Sequence, residues 1–240
     1  MSITRHIPNT ITSLNLLSGT LAVIYGFKGN AEIAVYLVIA AAIFDFMDGF
    51  TARLLKSYSP MGKELDSLAD LISFGLAPAV LLFHRFELIH GISLLTFIPL
   101  AIVIASALRL AKFNIDTRQS ENFIGMPTPA NALLICMLIH LSLYNDFLNP
   151  LLDSKFFIPI ISIVLSFLLV CNVPMFSLKL KTLKWTGNEL RFSLIILSIA
   201  LTSLSFILGF TWSIAILTIF ILYILINLIN YSLTLFRQRR

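Results

Sequence analysis

Four aspartates carry the chemistry legible in this chain. Asp45 and Asp48 stand three residues apart, and Asp66 and Asp70 four apart. On a helix, residues at either spacing share a face. Carboxylates gathered from two neighbouring helices repel strongly where the dielectric is low, and divalent cations relieve that repulsion. An all-oxygen donor set suits Mg²⁺ or Mn²⁺ rather than zinc. Two such ions can clamp a diphosphate, polarise the phosphorus under attack and neutralise the group that leaves. The ordinary alternative is a set of helix-end carboxylates paired with Arg53, Lys56 and Lys63. Four carboxylates at these spacings on adjacent helices favour the metal-dependent reading.

The elements that must position them are membrane helices. Of 240 residues, 58% are hydrophobic and 12% charged, the latter about half the usual level. Mean hydropathy is +0.93. A soluble domain of this length has no core large enough to hide so much apolar surface, so the surrounding solvent is lipid. The expected fold is an all-α, polytopic integral membrane bundle of about eight transmembrane helices. The apolar runs lie near 9–27, 31–52, 64–83, 91–112, 129–147, 156–176, 191–208 and 211–232, each near the roughly 20 residues a bilayer requires. Neither repeats nor linkers divide the chain, so residues 1–240 read as one domain. The aspartates fall at the facing ends of the second and third spans, which a short basic connection folds into an antiparallel pair.

Charge placement supports this layout. The net charge is +5, but the basic residues lie between apolar runs, where they set topology rather than bind nucleic acid. With both termini on one side, only Lys28, Arg85 and Lys155 of the 17 basic residues fall on the other. The positive-inside rule then puts both termini and the aspartates at the cytoplasmic face. The opening MSITRHIPNTITSLNLLSG lacks an A-x-A-like site and reads as a retained helix, not a cleaved leader. Cys136 and Cys171 lie in apolar runs without ligand spacing and read as packing residues.

The residues between the aspartates narrow the chemistry. Gly49 and Ala52 remove bulk beside the carboxylates, and Arg53 offers a bidentate fork for phosphate oxygens. Gly62 permits a close turn before the third helix. Together, residues 45–70 read D-x2-D-G-x2-A-R-x8-G-x3-D-x3-D. This resembles the signature of the CDP-alcohol phosphatidyltransferases at every signature position. Members of that family transfer a phosphatidyl or similar group from a CDP-linked donor to an alcohol and release CMP. The resemblance implies metal ligation by Asp45, Asp48 and Asp66. It makes Asp70 the general base and a further contact to the second metal. It also implies a donor site formed by Asp48, Gly49, Ala52, Arg53 and Gly62, and a homodimer.

Further segments bear on the acceptor. IPNTITSLNLLSG (7–19), DLISFGLAPA (70–79), LRLAKFN (108–114) and FIGMPTPA (123–130) resemble the bacterial membrane-integrated phosphatidylserine synthases. That likeness implies CDP-diacylglycerol and L-serine as substrates. Serine carries a carboxylate, and Arg109, Lys112, Asn114 and Arg118 are the candidates to bind it. Two other readings stay open here. One is a sister enzyme acting on glycerol 3-phosphate, inositol or its phosphate. The other is a divalent-cation transporter, although transport sites more often lie near the midplane. The last two helices, about 191–232, carry no recognisable chemistry and read as accessory.

Overall fold

In lipid, only a helix satisfies all of its own backbone polar groups, and the apolar runs of this chain fold accordingly. The computed structural model describes residues 6–115, 123–175 and 189–238. The first two helices, α1 (His6–Phe27) and α2 (Ala31–Leu54), form a hairpin whose turn uses Gly29 at φ +77°. Glycine tolerates that left-handed conformation without steric cost. The inward face of α1 is small and polar, with Thr12, Asn15, Ser18, Gly19, Ala22 and Gly26 buried. That narrow face lets its neighbours approach closely.

A continuous rod follows. Helix α3 (Pro60–Asp70) starts at Pro60, and the hydroxyl of Ser59 caps it by accepting the Gly62 N–H at 3.0 Å. Its backbone then widens into a π-turn, Leu71–Leu76, before α4 (Ala77–His90). The expected third span covered 64–83, but the rod runs 31 residues and is the most buried of the spans. The cap at Ser59 moves its start four residues earlier. Asp66 and Asp70 consequently lie in its second and third turns, deeper along the axis than the hydropathy implied.

A 3₁₀ segment, Leu94–Leu100, leads into α5 (Ala101–Ile115). Strand β1 (Phe123–Ile124) precedes α6 (Thr128–Tyr144), which starts directly after Pro127. Beyond α6 the chain bends by 112° into a short stretch ending in α7 (Asn149–Leu152). Helix α8 (Phe157–Val170) stops where Cys171 turns extended. Strand β2 (Pro174–Met175) then pairs antiparallel with β1. Helices α9 (Glu189–Ile207) and α10 (Trp212–Gln238) close the described chain, with α10 packed against α6.

Among the described residues, five helices are long and apolar enough to cross a membrane, or six with the bent α6–α7 pair. The described residues do not confirm the count of eight: Phe157–Val170 and the described part of α9, Phe192–Ile207, are apolar but shorter. For α8 the cause is local: the helix stops at Cys171, and Pro174–Met175, assigned to the span by hydropathy, pair with β1 as a strand.

The core lies between the α3–α4 rod, α5, α6 and α8, around Phe74, Leu82, Phe86, Ile102, Ile135 and Leu169. Cys136 and Cys171 are buried there as free thiols. Outward-facing Phe46, Phe50, Phe167 and Phe206 are exposed, as lipid contact demands. At one end of the bundle, Arg85 pairs with Asp153 and Asn149, and a ring nitrogen of His90 meets the Asp153 carbonyl at 3.0 Å. The α1–α2 turn joins that end, with His84 packed beside Gly29. At the opposite end Lys63 donates to the Asn114 carbonyl at 2.8 Å, and Lys112 to Asn172 Oδ1 at 2.7 Å. Lys28, Arg85 and Lys155 thus share one end, as the charge alternation predicts.

Candidate active site

The antiparallel α2–α3 pair brings three carboxylates together. Ligand atoms of Asp45, Asp48 and Asp66 all lie within 4.8 Å of one another. Asp48 is 6% exposed. Its Oδ2 and the Oδ1 of Asp66 are buried with no hydrogen-bond partner. A bare buried carboxylate oxygen is costly, and two beside a third acid are more so. None of Asp48, Asp66 and Asp70 pairs with Arg53, Lys56 or Lys63 among the described residues. An all-oxygen set with orphaned anionic atoms fits a hard divalent cation.

Asp70 sits apart from this triad. It is 8% exposed and lies deeper, yet within electrostatic reach of Asp45, Asp66 and Asp48. Asn15 Nδ2 donates to its Oδ1 at 3.3 Å. The Asn15 main-chain carbonyl in turn accepts from Ser73 Oγ at 3.1 Å, and Ser73 belongs to the π-turn. Gly19 makes this contact possible: a Cβ there would lie 2.6 Å from Ser73 Cα. The small face of α1 therefore presses on the π-turn, and the π-turn fixes the asparagine that holds Asp70. Single π-turns inside α-helices often mark functional sites.

A cavity of about 190 Å³ opens beside the triad. Helix α1 lines it with Pro8, Asn9 and Thr12, and α2 with Asp48, Gly49 and Ala52. The α2–α3 connection and α3 add Ser57, Tyr58, Ser59, Gly62, Lys63 and Asp66. No atom lies within 4 Å of where a Gly49 Cβ would sit, so that face of α2 is open to a ligand. Gly62 plays a different part from the turn expected of it, because it lies in the first turn of α3. A Cβ there would meet Asn9 Oδ1 at 2.9 Å, so its bareness admits α1. Arg53 is exposed and outside the cavity lining.

The acceptor candidates separate. Arg109 is 7% exposed, donates from a guanidinium nitrogen to Thr128 Oγ1 at 3.4 Å and lies 5.8 Å over the Phe113 ring centroid. It also lies within electrostatic reach of Asp70 and of Tyr223 on α10. Lys112 is engaged with Asn172, and Asn114 Nδ2 donates to Ser67 Oγ at 2.9 Å. Both stitch the end of α5 to its neighbours. Arg118 lies outside the described residues.

Sequence reasoning did not single out Thr12, Asn15, Ser73 or Tyr223. For α1 the signal was present: positions 8, 12, 15, 19, 22 and 26 form a small-and-polar stripe at helical spacing in an apolar run. Tyr223 had no such marker, since one tyrosine in an apolar helix resembles an interfacial anchor.

Residues 5–171 match the family model described as CDP-alcohol phosphatidyltransferase. Helices α9 and α10 lie beyond the match. A CDP-diacylglycerol–serine O-phosphatidyltransferase of Methanocaldococcus jannaschii is 37% identical over 190 residues, covering 72% of this chain and 88% of that protein. One of the same description from Helicobacter pylori is 35% identical, covering 80% of each chain. An archaetidylserine synthase of Methanothermobacter thermautotrophicus is 35% identical, covering 58% of this chain and 60% of that protein.

Proposed function

The chain belongs to the CDP-alcohol phosphatidyltransferase family, and from that premise we propose that it transfers the phosphatidyl group of CDP-diacylglycerol to the hydroxyl of L-serine, giving phosphatidylserine and CMP. The observation that carries the reading is the carboxylate triad bordering a cavity with one glycine face, beside a fourth aspartate that faces a buried arginine. The bacterial and archaeal relatives named above share serine in their descriptions. That pattern supports serine over glycerol 3-phosphate or inositol phosphate. A phosphorylated acceptor calls for a denser basic pocket, whereas, among the described residues, Lys112 is occupied with Asn172 and Arg109 is the cation within electrostatic reach of Asp70.

Asp45, Asp48 and Asp66, with Asp70 beside them, are the residues to hold two divalent cations, Mg²⁺ or Mn²⁺. Those ions supply diphosphate clamping and neutralisation of the departing CMP. The open face at Gly49 and Ala52 lets the donor diphosphate approach α2, while the acyl chains stay in the bilayer. Arg53, next in sequence to Ala52, meets an outer phosphate or the cytidine portion. Asp70 accepts the proton of the serine hydroxyl, whose oxygen attacks the phosphatidyl phosphorus in line. Asn15 keeps the Asp70 carboxylate in position, and Arg109 pairs with the serine carboxylate. Positioning in a dry pocket supplies most of the acceleration. The site faces the cytoplasm, and the enzyme works as a homodimer.

Membranes holding the protein, given CDP-diacylglycerol and each labelled alcohol in turn, test the proposal. Lipid product from serine, with CMP release that needs Mg²⁺ or Mn²⁺, is the expected result. Product from glycerol 3-phosphate and none from serine overturns the acceptor. Binding of divalent ions without CMP release favours the transporter.

A further inference from the structure

Three wholly buried polar side chains around the π-turn leave hydrogen-bonding atoms unused. Asn15 and Asn131 are 0% exposed, as is Ser106. Asn15 Oδ1, both amide atoms of Asn131, and Ser106 Oγ have no partner. Each lies on a helix packed against residues 71–76: Asn15 on α1, Ser106 on α5 and Asn131 on α6. Ser106 Oγ lies 3.4 Å from where a Gly75 Cβ would be. Asn131 stands one helical turn beyond Thr128, the residue that holds Arg109. An orphaned buried amide costs about 1–3 kcal/mol. Three around one turn mark a place where a polar ligand or water completes the set.

The chemistry of that ligand can be read from the orphaned atoms. Asn15 spends its nitrogen on Asp70, so its remaining group is the amide oxygen, an acceptor only. Asn131 presents a second amide oxygen. The Asn131 nitrogen is unpartnered as well, but the two amide oxygens without donors suit a group with several N–H bonds, and an ammonium has three. Arg109 in the same region suits a carboxylate, and Asp70 a hydroxyl. Resting on serine as acceptor, we propose that the amide oxygens of Asn15 and Asn131 receive the acceptor's ammonium group. The enzyme thereby selects a 2-amino-3-hydroxy acid over alcohols that lack the amine.

The test compares the KM for serine with the inhibition constant of 3-hydroxypropionate, which keeps the hydroxyl and the carboxylate but has no amine. In Asn131→Leu, serine KM should rise about ten-fold or more, equivalent to about 1.4 kcal/mol. The 3-hydroxypropionate constant and the CDP-diacylglycerol KM should each stay within about two-fold, since neither ligand uses this amide. A merely structural asparagine moves all three together. That outcome, or an unchanged serine KM, overturns the proposal. Asn131→Asp keeps the shape and an acceptor toward the amine, and guards against a leucine variant that does not fold. It should hold serine KM at or below the wild-type value while weakening 3-hydroxypropionate, and a rise in serine KM refutes the assignment. A wild-type enzyme that does not turn over serine sinks the acceptor reading itself, a result distinct from any change in the variants.

Discussion

The same substitution at two glycines should give opposite signatures. At Gly19, an alanine Cβ lies 2.6 Å from Ser73 Cα and 2.8 Å from Ser73 Cβ. Carbon atoms rest about 3.5–4.0 Å apart, so α1 and the π-turn must separate by roughly 1 Å. Overpacking of this kind costs about 1–3 kcal/mol, more than the roughly 0.5–1 kcal/mol that alanine contributes to a helix interior. The hydrogen bond from Asn15 to Asp70 is already 3.3 Å long, and a shift of that size breaks it. Displacement of a catalytic group by about 1 Å lowers turnover by about 100-fold. At Gly49 no atom lies within 4 Å of the new Cβ, so alanine should leave the fold unchanged or slightly stabilised. Its methyl instead enters the face that admits the donor. The assay is CMP release in detergent micelles at varied CDP-diacylglycerol, with a melting curve for each variant. Gly19→Ala should lose kcat and melting temperature together, and Gly49→Ala should raise donor KM without loss of stability. Wild-type kcat in Gly19→Ala refutes the linkage from α1 through the π-turn to Asp70.

Asp70→Asn should reduce turnover by about 100-fold or more, the scale of a lost general base. Donor binding should persist, and near-normal turnover removes Asp70 from the base role. Chelation should stop CMP release, with Mg²⁺ or Mn²⁺ restoring it. If the triad holds the proposed metal, Asp48→Asn should raise the metal concentration needed for half-maximal rate. Tyr223→Phe should raise serine KM several-fold at unchanged donor KM, since Tyr223 reaches the site through Arg109. Trp212→Ala removes the packing of the Trp212 ring on His140 and Tyr36. It should lower the melting temperature by the equivalent of about 1–3 kcal/mol with kcat unchanged, since these rings pack with Tyr144 and Glu32, distant in the chain from the aspartate motif.

The aspartate spacing was legible because carboxylates in an apolar chain are expensive and therefore stand out. The order of the apolar runs was legible for the same reason. Three things were not. The start of α3 at Pro60 depends on a serine cap, which hydropathy does not register. The stop of α8 at Val170 depends on β1–β2 pairing between segments about fifty residues apart. Lys112 and Asn114 are acceptor candidates by position, and their hydrogen-bond partners Asn172 and Ser67, on other segments, were not legible in the sequence. Sequence spacing along one helix carries no information on which neighbour will claim a side chain. Arg109 differs only in being buried beside Asp70, a property of the packed bundle and not of the motif around it.

The π-turn at 71–76 also bears on how portable this site is. One residue added to a helix advances its azimuth by about 100°. The portion ahead of the turn and the portion behind it consequently obey separate phases. Asp66 and Asp70 can follow the four-residue spacing their ligands require, while Ala77, Val80 and Leu81 follow the different phase that seals them into the core. A graft of residues 45–70 onto another bundle would copy every signature residue yet lose this change of phase. The host helix would have to choose between aiming Asp70 and burying its own apolar stripe. The transferable unit is therefore the motif together with six residues that contain none of its hallmark aspartates.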